Sequence, residues 1–335
     1  MSIQGLVDSS FSASYMKKNL LVFVCLIALW PESYVYSATN TVLSLQEAQA
    51  ALVASDYEKA FSGYYAIVGT DKNPLAQFSI GLFYQNGWGR AVDKIAACQW
   101  FEQAAQGGIP TAQYLTGICL EEGVHRPVDY VAAANWFEKA AQAGQLHAYC
   151  NLGNLHMTGK GVAKDSVKAL QLCHPAAQQG AIPAQLWMGK FYLEGDASIQ
   201  NGQEASRWFE AAAQKQSPEA FYYLGILMQK GLVEGHTTEK ARQMFEQAAA
   251  LKYVPAYFQT GKLFFNADPD PQTSRLSAEH LAKAYLWLSA TLQRSENPNE
   301  LAESKRMLEQ ILTMMPETWL SELNQKVMRH LQQND

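Results

Sequence analysis

From about residue 73 onward the apolar positions fall at helical spacing, and the whole hydrophobic frame repeats every 36 residues. Ala76, Gly81, Gly87, Asp93, Ala97, Trp100, Phe101, Ala104 and Ala105 mark the first copy. Ala112, Gly117, Gly123, Asp129, Ala133, Trp136, Phe137, Ala140 and Ala141 restate it. No strand-like alternation interrupts the period, so the pattern predicts stacked two-helix units, an all-α solenoid. In each unit the first helix carries a glycine at its centre: Gly81, Gly117, Gly153, Gly189, Gly225 and Gly261. Mid-helix glycine costs about 1 kcal/mol relative to alanine, so six at one phase imply close approach of a neighbouring helix. Gly87, Gly123, Gly159, Gly195 and Gly231 lie where that helix should stop in a left-handed turn. Asp93, Asp129, Asp165, Asn201 and Thr237 follow as N-caps of the second helix, Asn201 with Glu204 resembling a capping box. The second helices carry Trp100-Phe101, Trp136-Phe137, Trp208-Phe209 and Met244-Phe245 ahead of paired alanines. At fixed phase these read as core that packs ridges into grooves, not as a ligand cage.

The frame Ala-x4-Gly-x2-Tyr-x2-Gly-x-Gly, Asp, Lys-Ala, Trp-Phe, Lys-Ala-Ala-x-x-Gly resembles the Sel1-like repeat, a relative of the tetratricopeptide repeat. Residues 148–169 and 132–144 carry it most plainly. The resemblance implies a right-handed α/α superhelix with a concave ligand face, built by scaffolds and adaptors that in bacteria often act in the envelope or at a host interface. Five repeats are expected over residues 73–252, and a sixth with a Pro/Asp-rich insertion over 253–294. A degenerate capping hairpin should fill 38–72, with Tyr64 in the Trp phase, and capping helices 295–335, broken at Pro316. Terminal units that depart from the frame are what a solenoid needs to cover its ends. Copy three places Leu172 at the Trp position, and copies four and five replace the closing glycine by Gln216 and Lys252.

Residues 1–37 read as an N-terminal extension followed by a signal peptide. Lys17-Lys18 precede a nearly continuous apolar run, Asn19 to Trp30, which is shorter than the roughly 20 residues of a membrane span. Cleavage before Ala38 and export to the periplasm or the medium are expected, with an uncleaved anchor as the other reading. Four cysteines remain after that point: Cys98, Cys119, Cys150 and Cys173. Cys150 and Cys173 replace large residues on both helices of copy three, at phases that face each other in an antiparallel hairpin. A Cys150–Cys173 disulfide is the first expectation and Cys98–Cys119, between neighbouring helices of copies one and two, the second. Four small buried thiols are the alternative.

Composition narrows the function. Apolar residues make up 48% of the chain, enough for a continuous core, and the net charge is -5 with no Lys/Arg cluster beyond the first twenty residues, so nucleic acid is excluded as a partner. The seven histidines form no zinc spacing, and no P-loop, nucleophile elbow or dinucleotide fingerprint occurs. No metal, cofactor or catalytic residue is assigned, and the chain is not expected to be an enzyme.

A binding surface is expected instead. With first helices lining the concave face, three phases should point into the groove: Ser79, Leu82, Asn86; Leu115, Ile118, Glu122; Asn151, Asn154, Thr158; Trp187, Lys190, Glu194; Tyr223, Ile226, Lys230. The last nine are the candidate ligand-binding residues, amides contacting an extended peptide backbone and aromatics anchoring it. The partner is expected to be a host or envelope protein or peptide, with a glycan stacked on Trp187 and Tyr223 also compatible. Packing of both rings between hairpins is the competing reading. Two roles fit: an exported factor in host interaction or virulence, and a periplasmic assembly factor for an envelope or polysaccharide machine.

Overall fold

The computed structural model describes residues 39–332, with side chains from residue 45. Among the described residues the regular elements are all helical. They run α1 (Thr39–Val53), α2 (Tyr57–Asp71), α3 (Pro74–Asn86), α4 (Lys94–Gln106), α5 (Pro110–Glu122), α6 (Tyr130–Gln142), α7 (Leu146–Thr158) and α8 (Ser166–Gln178). Then come α9 (Ile182–Glu194), α10 (Gly202–Ala213), α11 (Pro218–Gln229), α12 (Thr238–Ala250), α13 (Val254–Phe265) and α14 (Ala278–Arg294). After α15 (Pro298–Met314) a 3-10 turn (Glu317–Trp319) leads into α16 (Leu320–Gln332). The signal-like run and its cleavage site lie outside the described residues. Among the described residues no helix is long and apolar enough to cross a membrane. The described residues divide into two compact units, on either side of the boundary between Ala148 and Tyr149.

In the first unit, hairpins α1–α2, α3–α4 and α5–α6 pack in chain order. Tyr64, Ile80 and Phe83 fill the space under the first hairpin, and Phe78, Phe101, Ala112 and Leu115 the space under the second. The reason for the mid-helix glycines is visible here. A methyl group on Gly81 or Gly117 would stand 2.5 Å from a ring carbon of Phe101 or Phe137. Phe101, Phe137, Phe209 and Phe245 therefore lie directly against the bare backbone of Gly81, Gly117, Gly189 and Gly225. Phe101, Phe137, Phe209 and Phe245 are buried, while the adjoining Trp100, Trp136, Trp208 and Met244 are only partly covered. Cys98 in α4 is joined to Cys119 in α5, with Cα atoms 5.9 Å apart, so this bridge ties one repeat to the next.

In the second unit one core runs from Leu186 and Phe209 through Leu224, Tyr257, Leu288 and Ile311 to Val327. The α7–α8 hairpin replaces ring packing with a covalent tie. Cys173 takes the phenylalanine position and is bonded to Cys150, with Cα atoms only 4.4 Å apart. The α8 backbone occupies the space a ring would have filled: a methyl on Gly153 would stand 2.9 Å from the Ala169 carbonyl oxygen.

The expected caps form. Asp93, Asp129 and Asp165 accept the backbone N–H three residues on at 2.8–2.9 Å, and Asn201 and Thr237 do so at 3.1 Å; each cap contributes about 1 kcal/mol. Gly87, Gly123, Gly159 and Gly231 turn left-handed with φ between 66° and 70°. Gly195 departs from that expectation: it is extended, with φ -68° and ψ -174°. The chain there runs straight into a turn in which Ile199 and Gln200 donate to the Asp196 carbonyl, and Ile199 crowds the glycine so that a side chain has no room. Asp196 binds back to the previous repeat, accepting from Lys164 at 2.7 Å and Ser166 at 2.5 Å.

Candidate functional site

The nine candidate residues all lie in the second unit, eight on the first helices α7, α9 and α11 and Lys230 capping the end of α11. Their exposure divides by phase. Thr158, Glu194 and Lys230, at the helix ends, are exposed, and Asn151, Trp187, Tyr223 and Ile226 are partly exposed. Asn154 and Lys190 are buried. In the first unit the same phases give exposed Asn86 and Glu122, partly exposed Ser79, Leu82 and Ile118, and buried Leu115.

Lys190 holds the centre of the constellation. Its Nζ donates to Glu219 in the first turn of α11 at 2.5 Å, and the pair is largely shielded from solvent, with 6% and 14% of the side chains exposed. A lysine buried with its carboxylate is a fixed structural pair: removing one partner would leave an uncompensated charge at a cost of about 3–5 kcal/mol. The Lys190 ammonium also stands over two rings, 4.9 Å from the centre of Tyr223 and 5.8 Å from that of Trp187. Cation–π contact of this kind favours keeping the charge inside.

The two aromatics are held differently. The Tyr223 ring is parallel to Phe209 at 5.0 Å and has the Lys190 ammonium 4.9 Å from its centre. The residue as a whole is partly exposed. Trp187 packs against Phe191, tilted by 40° with ring centres 5.4 Å apart, and is partly exposed. Tyr222 and Tyr253 extend the cluster, 5.3 Å apart. Burial, reinforced by the negative charge of Glu219, pushes the hydroxyls of Tyr223 and Tyr253 well above the ordinary tyrosine range, so they remain neutral hydrogen-bond donors. Burial, followed by the charge of Glu300, raises Tyr222 as well.

Glu219, Tyr222 and Tyr253 escaped the sequence reading. Glu219 follows Pro218 at a helix start, where an acid is ordinary, and its partner lies 29 residues back. The 36-residue frame would have shown it as a first-turn residue one repeat after Lys190, but not that the two side chains meet. Among the described residues no group of three or more His, Cys, Asp or Glu side chains could hold a metal ion.

Comparison with known proteins follows the same period. A family model described as Sel1 repeat matches residues 74–109, 110–145, 146–180, 182–217 and 218–253, more than half of the chain. Among solved structures the chain is similar to c5321, a protective antigen present in uropathogenic Escherichia coli strains that displays an SLR fold. The TM-score is 0.58 and the identity 23%, over 87% of this chain and 60% of that one; this chain thus spans under two thirds of that protein's length. It is similar as well to a Sel1 repeat protein from Oxalobacter formigenes, with TM-score 0.59 and 25% identity over 74% of this chain and 99% of that one. No curated protein matches the chain at a significant level.

Proposed function

Since the chain belongs to the Sel1 repeat family, whose members act in general as protein-interaction scaffolds and not as enzymes, we propose that it is an exported scaffold binding a protein or extended peptide across α7, α9 and α11. The observation that carries this reading is the ordering of Trp187 and Tyr223. Both rings pack against Phe191, Phe209 and Lys190 yet remain partly exposed, so an incoming chain meets ordered anchors at little entropic cost. Asn151, Thr158, Glu194, Ile226 and Lys230 supply polar and apolar contacts around them. Lys190, close to both rings, positions the anchors, while Asn154 is buried. Export is supported by the apolar run at residues 19–30 and by two disulfides, bonds that persist in oxidising compartments. The role in host interaction or virulence is part of this proposal. The periplasmic assembly role is its second reading, favoured by the same disulfides.

The test is in-cell crosslinking of tagged chain, with partners identified separately from medium and periplasm. A Trp187→Ala, Glu194→Ala, Lys230→Ala variant runs in parallel, leaving the Lys190–Glu219 pair and the Tyr223 stack intact. A captured protein that falls at least about tenfold in the variant supports the surface, and its compartment selects the role. Equal capture by a variant that melts like the parent would overturn the reading.

A further inference from the structure

Arg90 and Arg126 hold the same place in the loops after α3 and α5, one period apart. Arg126 donates to Glu102 of α4 at 2.8 Å, and the same carboxylate lies 3.0 Å from His125 Nε2. One repeat earlier that carboxylate is missing. In α2 the N-cap Asp56 answers to Asp93 of α4, and buried Ala60 and Tyr64 answer to Ala97 and Phe101. The register is one residue beyond the period, so Tyr64 takes the phenylalanine phase and not the Trp phase expected from spacing. The residue after it, where α4 has Glu102, is Tyr65.

The loop nevertheless delivers Arg90 to this place. Gly87 and Gly89 turn left-handed, with φ of 66° and 64°. Trp88 stacks on Tyr57 with ring centres 6.0 Å apart, and a methyl on Gly89 would stand 2.9 Å from the Tyr57 Cβ. Pressed onto the start of α2 in this way, the loop sets the Arg90 guanidinium 3.1 Å from the centre of the Phe61 ring, and 5.4 Å and 5.7 Å from those of Tyr84 and Phe83. Cation–π contact holds the charge there but supplies no acceptor. Arg90 Nε is buried with no hydrogen-bond partner. Among the described residues Arg90 joins no ion pair, and Glu58, close to Gly89, is no exception. The residue is partly exposed. Tyr65 lies 5.8 Å from Phe61 and is 56% exposed, and partly exposed Trp100 stands 6.3 Å from Tyr65. We propose that this surface of α2, α3 and α4 binds an acidic peptide segment of a partner protein. Its carboxylate sits on Arg90 as Glu102 sits on Arg126, and a neighbouring aromatic side chain packs on Tyr65 and Trp100. A guanidinium stacked by its face keeps N–H groups at its edge for a carboxylate, and the two rings add apolar area. The site lies within the first unit and uses no residue of α7, α9 or α11.

The test uses the full chain and short fluorescein-labelled Gly/Ser peptides carrying Asp-Gly-Phe, with fluorescence anisotropy as the readout. Saturable binding is expected, weakened at least about tenfold when the peptide Asp becomes Asn or the Phe becomes Ala. Arg90→Gln and Tyr65→Ala should weaken it by a similar factor, while the Trp187→Ala, Glu194→Ala, Lys230→Ala variant should bind like the parent. Equal binding of the Asp and Asn peptides, or no saturation below about 1 mM, would overturn the proposal. So would loss of binding in the triple variant, which would move the peptide to the other surface. The Asp and Asn comparison needs only the parent chain, so it decides even if Arg90→Gln fails to fold.

Discussion

At Gln216 and Lys252 the backbone turns left-handed, with φ of 61° and 66°. Three earlier repeats assign the equivalent turn to Gly108, Gly144 and Gly180, with φ between 81° and 89°. A side chain in that region costs about 1–2 kcal/mol, offset in part by the unfolded-state entropy that glycine adds, about 0.5–1 kcal/mol. Gln216 is exposed and loses little packing when truncated. Gln216→Gly is therefore expected to stabilise the chain by about 0.5–1 kcal/mol, seen as a higher urea midpoint at unchanged slope; a lower midpoint would contradict the account. The sequence showed the glycine missing at this phase but not whether the turn would relax with it. The packed hairpins on either side hold the turn, and that constraint is not local. Gly195 is the converse case, a glycine kept at its phase for lack of room while its backbone is extended.

Hairpins are the level at which the chain was most legible. Caps and helix stops depend on residues within one turn, so Asp93, Asp129, Asp165, Asn201 and Thr237 could be placed from spacing alone. Both disulfides were legible for a related reason, because the 36-residue frame converts sequence position into a facing phase. Contacts between successive first helices were not, since the frame does not say how far a long side chain reaches. Hence Lys190 was read as a groove residue, and its burial against Glu219 went unseen. The amphipathic pattern of α16 likewise shows that one face is buried without saying which helix covers it. The α7–α8 hairpin, having exchanged a phenylalanine for a covalent tie, should depend on that tie more than its neighbours depend on any one bond. Its cysteines are 23 residues apart, and a closed loop of that length contributes about 3 kcal/mol. Cys150→Ala with Cys173→Ala is expected to lose about that much, and native-state hydrogen exchange should show α7 and α8 opening ahead of α11 and α12. Uniform loss of protection along the unit would point instead to a purely global effect.

For the molecule as a whole, tyrosine is the group whose titration reports on the packed state. Burial raises Tyr64, Tyr114, Tyr222, Tyr223, Tyr253 and Tyr257, and nearby carboxylates push Tyr114, Tyr223 and Tyr253 further. The neutral phenol is the form the folded chain favours, so the folded chain holds protons that the unfolded chain releases at about pH 10. By linkage, this contribution to stability is complete below pH 10 and is lost as pH rises through the folded-state values. These tyrosines occur in both units, so both should weaken in alkali while remaining unaffected by the same groups near neutrality. Absorbance at 295 nm should therefore rise in two steps: exposed tyrosines first, near pH 10 and reversibly, then the buried set together with loss of the helical circular dichroism. Tyr223, packed against Phe209 and Lys190, belongs to the second step. A single step near pH 10 with the helical signal retained would mean that the rings around Lys190 are open to water, and the rigid anchors on which the proposed binding surface depends would be lost with them.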